Sequence, residues 1–429
     1  MKSIQTLPPD VLVVGAGPVG LTSALSLLKE DIPLRVIDAA SGPSRDSYAS
    51  LLHPDTLALL DKLGVYQRLL PHGNLIESIG VYVDAQKVKT VDLRTQDSAY
   101  PHILALPQSA LEATLIEELA LGGVEIEWDH SLTDLNHQES EVSGKTKEPP
   151  PPNRRQADAS ATERVEREFH VPFLFGADGY RSQTREFIRT GFCDAKPSRS
   201  YEFFEFDVDG PLEKEMKLVF HHGKVSAFIP LSSTRGRWTF ELDQASDFKI
   251  NRHRPSSSTG VMQSDTHLNS EHFHALLAER APFFDHELRK LHWQIEIHFA
   301  ERLASSFSEG RVCLLGDAAH TTSPLGVHSL NCGIREGYDL SQTISTIQHG
   351  NCPISLLQSW SQRSHDQWRW LLGLSTKLTP LPNHESRFLP YSDQILSALP
   401  GAPERLPELC AQLGFEIAAR EAAPFCVVS

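Results

Sequence analysis

The chain predicts a mixed α/β (α+β) fold: a Rossmann-like dinucleotide-binding domain interleaved with an antiparallel-sheet domain and followed by a C-terminal helical tail. Three observations carry this reading. Gly15-Ala-Gly-Pro-Val-Gly20 stands between an apolar strand and a helix. A second glycine-aspartate element, Gly316-Asp317-Ala-Ala-His320, arrives about three hundred residues later. Between the two, residues 201–299 take on a strand-like texture.

Taken in order, residues 11–14 form a short apolar strand, 19–29 the helix after a glycine turn, and 34–38 a second strand ending in a carboxylate. This β-α-β unit opens a parallel sheet. Helical patterns follow at 57–63 and 109–121, and an alternating strand at 124–128. Residues 137–164 are polar around Pro149-Pro-Pro-Pro152 and predict an exposed, disordered-looking hairpin loop, a passive insertion. A strand at 168–175 leads into Gly176-Ala-Asp-Gly179. Segments 201–208, 217–222, 226–230, 237–242 and 293–299, interrupted by a helix at 271–281, read as an antiparallel sheet with one face covered. Residues 311–315 then return to the parallel sheet. The expected division is 8–75, 100–195 and 300–350 for the cofactor domain, and 76–99 and 196–299 for the substrate domain. Residues 351–429 form a helical or irregular tail.

With 429 residues the chain can bury a large core. Its net charge of −15 argues against nucleic-acid binding, which wants a basic face. No apolar run reaches the roughly 18 residues a membrane span needs, and the N-terminus carries no secretory pattern. The six cysteines are scattered, without a C-x-x-C pair, and predict free thiols in a reducing cytoplasm and no metal site.

Each glycine of the first motif has a physical task. Gly15 permits the tight turn, Gly17 lets backbone approach a pyrophosphate, and Gly20 lets the helix pack on the sheet. The helix N-terminus then offers free N–H groups and a favourable dipole to phosphate. Asp38 is placed to accept from ribose hydroxyls, which favours FAD or NAD over a 2′-phosphorylated ribose. Asp178, Gly179, Arg181, Ser182 and Arg185 put one acid and two cations at a turn, which by itself is equally an Asx-turn with a surface salt bridge. In the third element, Gly316, Ala318 and Gly326 are small enough for backbone to approach a ligand, and Asp317 can accept from a ribityl hydroxyl. The turn from Pro324 to Asn331 feeds a helix whose N-terminus suits a ring carbonyl.

These three motifs, in this order and spacing, resemble the group A flavoprotein monooxygenases, with the para-hydroxybenzoate hydroxylase-like fold, over about residues 8–345. The resemblance implies FAD held by Gly15, Gly17, Gly20, Asp38, Gln108, Asp178, Gly179, Arg181, Gly316, Asp317, Ala318, Pro324, Gly326 and Asn331, with Arg45 a substitute for the flavin-touching arginine replaced by Tyr48. It also implies NAD(P)H as reductant, O₂ as co-substrate and oxygen transfer through a flavin C4a-hydroperoxide to an aromatic or polyketide-like small molecule, by hydroxylation, epoxidation or Baeyer–Villiger chemistry. A reductase or dehydrogenase on the same scaffold is the alternative. The expected state is a cytoplasmic monomer or homodimer.

The chain departs from the family at Val327-His328-Ser329-Leu330, where relatives carry a glycine-rich turn, and at Glu336-Gly337, where they carry Asp-Ala. His328 is therefore a candidate neighbour of the ring's pyrimidine edge, with a surface histidine as the equal alternative. His222 and Tyr201, with His221, are the candidate bases on the middle sheet.

Overall fold

A computed structural model describes residues 8–44, 49–95, 99–149, 164–243, 269–350, 352–382 and 387–420. Two large sheets organise it. The first has six strands in the order Ser308–Glu309, Val312–Leu314, Phe173–Gly176, Val11–Val14, Leu34–Ile37 and Ile126–Glu127. Every pairing is parallel except the edge strand Ser308–Glu309. All four side chains of Val11–Val14 are buried, as expected for a central parallel strand covered on both faces. Residues 124–128 shorten to the two-residue edge strand Ile126–Glu127, and Arg35 holds Glu127 at 2.6 Å.

The second sheet has seven strands: Leu288–Phe299, Arg199–Val208, Arg235–Glu241, Lys224–Pro230, Glu215–His221, Ser78–Val83 and Gln86–Asp92. The early segment Ser78–Val83 joins the later sheet by parallel pairing to Glu215–His221. Alternation along Arg199–Val208 divides its side chains. Phe204 and Phe206 pack with Trp238, Phe240 and Phe273 under the helix Ser270–Arg280. Tyr201 and Phe203 face the other way, into the core shared with the six-stranded sheet.

Glycines decide how closely the two main helices approach. A Cβ on Gly333 would lie 2.8 Å from a Val19 methyl, and one on Gly337 would lie 2.0 Å from Ser23 Oγ. The helix Pro18–Lys29 therefore packs tightly along His328–Gly350. Among the described residues no helix is long and apolar enough to cross a membrane.

Three expectations are corrected. Residues 137–164 are not one loop: Val142–Glu148 is the middle strand of a three-stranded antiparallel sheet with Ser131–His137 and Val165–Val171. Gly144 sits there in close contact with Asp134 O, a packing that polarity alone does not announce. Most of the proline run, Pro150 to Pro152, lies outside the described residues. The tail is not merely helical, because Thr376–Pro380 pairs with Phe415–Ala419 around the helices Ser392–Ala398 and Leu406–Gln412. The cysteines are not all free thiols: Cys193 is disulfide-bonded, while Cys313, Cys332, Cys352 and Cys410 are unpaired. Scattered sequence spacing cannot reveal which thiols folding brings together.

Candidate active site

The glycine loop divides its three glycines by what lies opposite each. Gly15 has φ +107°, and a Cβ there would sit 2.2 Å from the carbonyl oxygen of Ala177. One on Gly20 would sit 2.0 Å from Gly15 O. Both glycines are demanded by the protein's own packing. Gly17 is different, since a Cβ there meets nothing within 4 Å. Gly17 is also the N-cap of Pro18–Lys29, and no side chain caps that helix. Its first N–H groups therefore point out uncapped at the one open place on the loop. Asp38 holds the loop from behind, accepting from Ala16 N and Ala40 N at 2.7 Å each. A carboxylate has lone pairs left for a further donor.

Asp178 works inward. Its carboxylate accepts from Ser182 Oγ at 2.5 Å, Thr184 N at 2.9 Å and Thr184 Oγ1 at 3.0 Å. Burial pushes its pKa up, against these hydrogen bonds. Gly179, at φ +74°, turns the chain toward the short helix Gln183–Phe187, which Ser182 caps through Arg185 N. The turn reading stands, but no ion pair joins Asp178 to either arginine among the described residues. Arg181 is exposed. Arg185 is buried, donating to Ala318 O at 2.9 Å and to Tyr180 O at 2.8 Å, with its guanidinium 3.9 Å from the Phe192 ring centroid.

Through that hydrogen bond the second element grips the third. Gly316, at φ +57°, lies against Val19, so this glycine serves the approach of helix and turn. Asp317 has a half-buried carboxylate with no hydrogen-bond partner among the described residues. Burial raises its pKa, and nearby His320 opposes the rise. His320 is fully buried, hydrogen-bonded through Nε2 to Glu336 at 2.7 Å and stacked on Trp368 at 3.8 Å. Trp368 Nε1 donates to the other oxygen of Glu336. The Glu336-Gly337 departure thus has a physical basis: the carboxylate reaches both rings, and Gly337 clears Ser23.

The turn that follows is held from two sides. Pro324 is half-buried at its start. Asn331 accepts from His53 N at 2.8 Å and donates to Leu51 O at 2.7 Å and Val327 O at 2.8 Å. Gly326 N donates to Ser397 O at 3.0 Å. Val327 takes φ +51°, a costly conformation for a β-branched residue. His53, which the sequence reading missed, is buried and bonds Gly326 O at 2.9 Å through Nε2. Its only sequence signal is its position just before Pro54, at a helix start.

The base candidates fare unequally. His222 is exposed at the tip of the hairpin joining Glu215–His221 to Lys224–Pro230, at φ +45°. His221 reaches Asp84 at 3.1 Å. Tyr201 is buried with its hydroxyl 3.2 Å from Ser323 Oγ, beside the Pro324 turn. Burial raises its pKa, which favours the protonated, hydrogen-bonding form. His328 is not a surface histidine, being fully buried with Nε2 3.1 Å from Leu396 O. Gln108 starts its helix and donates to Glu112 at 2.8 Å. Arg45 and Tyr48 lie outside the described residues.

The donor and acceptor set fits a dinucleotide flavin. An uncapped helix start faces open space at Gly17, and a carboxylate without a hydrogen-bond partner among the described residues stands at Asp317. Such features suit a diphosphate and a hydroxyl-bearing chain. The chain belongs to the FAD-binding-domain family, whose model matches residues 9–372. It is 27% identical to 6-methylpretetramide 4-monooxygenase of Streptomyces rimosus over 359 residues, covering 82% of this chain and 58% of that protein. It is also 27% identical to para-nitrophenol 4-monooxygenase of Pseudomonas sp. strain WBC-3, covering 82% and 81%. The chain thus spans less than two thirds of the first relative's length. In fold it is similar to p-nitrophenol 4-monooxygenase PnpA from Pseudomonas putida DLL-E4, with TM-score 0.67 at 19% identity over 95% of this chain and 98% of that one.

Proposed function

We propose that this protein is an FAD-dependent monooxygenase that uses NAD(P)H and O₂ to oxygenate an aromatic or polyketide-like small molecule. The observation that carries the reading is the convergence on one turn. Gly316–Ala318 offers the unpartnered Asp317, and five residues farther on Ser323 meets Tyr201 of the seven-stranded sheet. The turn that would seat the cofactor is therefore also the point where the inner sheet face arrives. The relatives named above, which act on a pretetramide and a nitrophenol, support the substrate class.

In this reading residues 8–75, 100–195 and 300–350 hold FAD, and 76–99 with 196–299 cover the substrate. FAD, when bound, supplies the hydride acceptor and the site of oxygen activation. The chain supplies placement. The Gly17 end of the helix Pro18–Lys29 holds the diphosphate and Asp38 the ribose. Asp317 accepts from the ribityl chain, and the N-terminus of His328–Gly350 stabilises negative charge on the ring. The apolar inner face, with Tyr201 and Phe203, excludes water from the reacting centre. The enzyme is proposed to be cytoplasmic, as a monomer or homodimer.

The test is a flavin spectrum of the purified protein, followed by NAD(P)H oxidation and O₂ consumption across a panel of phenols and polycyclic aromatics. Substrate-stimulated, stoichiometric O₂ uptake with an oxygenated product is expected. Substrate reduction that proceeds without O₂ would overturn it in favour of a reductase.

A further inference from the structure

His53, just before the helix Pro54–Lys62, packs against His328, the first residue of the helix His328–Gly350 after the turn 324–327, and both are essentially inaccessible to solvent. Their rings meet edge to face with centroids 5.7 Å apart. Each Nε2 lies on a main-chain carbonyl, Gly326 O at 2.9 Å for His53 and Leu396 O at 3.1 Å for His328. A carbonyl only accepts, so both Nε2 atoms carry hydrogen, and the neutral form of each ring is then the same tautomer. The Nδ1 atoms of both are buried without a hydrogen-bond partner. There is no room to shift, since even a Cβ on Gly326 would lie 2.6 Å from His328 Nε2.

Most of the charged groups around the pair are already engaged, while Asp55 keeps one buried oxygen without a hydrogen-bond partner among the described residues. The charged groups on the elements packed about it include Asp55, Arg335, Glu336, Asp393, Glu404 and Arg405, with Asp61, Lys62 and Asp339 farther along the two helices. Asp55 faces Arg405 at 3.8 Å, and Glu404 holds Arg335 at 2.9 Å. Glu336 is taken by His320 and Trp368, and Asp393 is exposed. Burial depresses both histidines, His328 to about 4, and the His328 ring and Arg335 further disfavour a charged His53. The main chain at Leu396 and Leu399 offsets part of that cost for His328.

We propose that His53 and His328 are positioning residues, a neutral imidazole pair in which His53 holds the turn 324–327 at Gly326 and His328 holds the helix start behind it to Leu396, and which sets the flavin seat only while both rings are uncharged. This rests on the flavin reading above. Protonating either ring places a charge in a closed interior beside its neighbour, and relief comes from opening the turn, with Val327 relaxing from its strained φ. Gly326 then leaves Ser397, and His328 leaves Leu396. The depressed histidines make the lock complete above about pH 6.5 and progressively weaker as pH falls toward 4.

Native-state hydrogen exchange of the cofactor-free protein reads the lock directly. Protection at residues 326–331 and 397–399, corrected for intrinsic rate, is expected to fall together by at least about tenfold from pH 7 to pH 5. The double variant His53→Gln with His328→Gln keeps an amide donor for each carbonyl and cannot titrate, so its protection should stay flat. Flat protection in the wild-type chain, or an undiminished fall in the double variant, overturns the proposal. FAD titration over the same range separates the two readings. Affinity should weaken severalfold at pH 5 in the wild-type chain and hold in the variant. An affinity that stays constant while exchange reports opening overturns the coupling to the seat. A chain that takes no FAD at any pH sinks the flavin reading, while exchange still decides the lock.

Discussion

Arg185 Nη1 donates to the carbonyl oxygen of Ala318 at 2.9 Å, across 133 residues of sequence, and this bond braces the Asp178-Gly179 element against the Gly316-Asp317 turn. The guanidinium is buried, and desolvation lowers its pKa from the ordinary arginine value. It is retained because Tyr180 O and the Phe192 ring complete its surroundings.

Replacing Arg185 with Met should therefore cost about 2–3 kcal/mol of stability, since two charge-assisted hydrogen bonds are lost and Ala318 O is left unpaired. Urea unfolding measures the loss. FAD affinity should fall with it, because the turn bearing Asp317 loses its brace.

The three glycines of the loop should separate cleanly on substitution by alanine. Gly15→Ala forces a Cβ onto Ala177 O at a positive φ and should destabilise by about 3 kcal/mol or more. Gly17→Ala meets no protein atom and should leave the cofactor-free protein within about 0.5 kcal/mol of the original. Its loss should appear only in FAD titration, as weaker binding. Equal loss of stability for both would contradict the geometry.

Asp317 carries a carboxyl whose pKa is raised by burial, so its sign is opposite to that of a paired acid. Its contribution to stability is full below the unfolded pKa of 3.8 and is lost as pH rises through the folded value. At pH 7, well above 3.8, burial leaves the group a net cost to stability until a donor reaches it. Asp317→Asn should therefore stabilise the cofactor-free protein at pH 7 by about 1 kcal/mol while weakening FAD binding. Thermal melts with and without FAD, compared across pH, test both halves.

Tyr201→Phe removes one neutral hydrogen bond to Ser323 and should cost about 0.5–1.5 kcal/mol. Because burial holds the phenol protonated, the pH dependence of turnover between 6 and 9 should be unchanged. A basic limb that disappears in Tyr201→Phe would restore the tyrosine as a titrating catalyst.

Much of the scaffold was legible because its signals are local. The strand Val11–Val14, the glycine turn and the helix Pro18–Lys29 are each specified by neighbours within one turn of chain. The strand texture of 201–299 was readable for the same reason, since alternation is written residue by residue. Val142–Glu148 escaped because its polar sequence has little alternation, and its pairing partners lie on both sides of a long insertion.

The sequence by itself determined that a Gly-x-Gly-x-x-Gly loop, an Asp-Gly turn and a distant Gly-Asp turn stand in one order and spacing, from which the two-ended nucleotide site is proposed. Tertiary structure alone decided which of those groups are spent holding the protein together and which remain free for a ligand. Gly15, Gly20, Gly316 and Asp178 are consumed by packing and capping, whereas Gly17 and Asp317 are left open. It also placed His53 against His328 and His222 at a hairpin tip. The physical reason is that spacing along the chain fixes local conformation, while burial, partnering and the approach of distant backbone depend on what the rest of the fold puts opposite each residue.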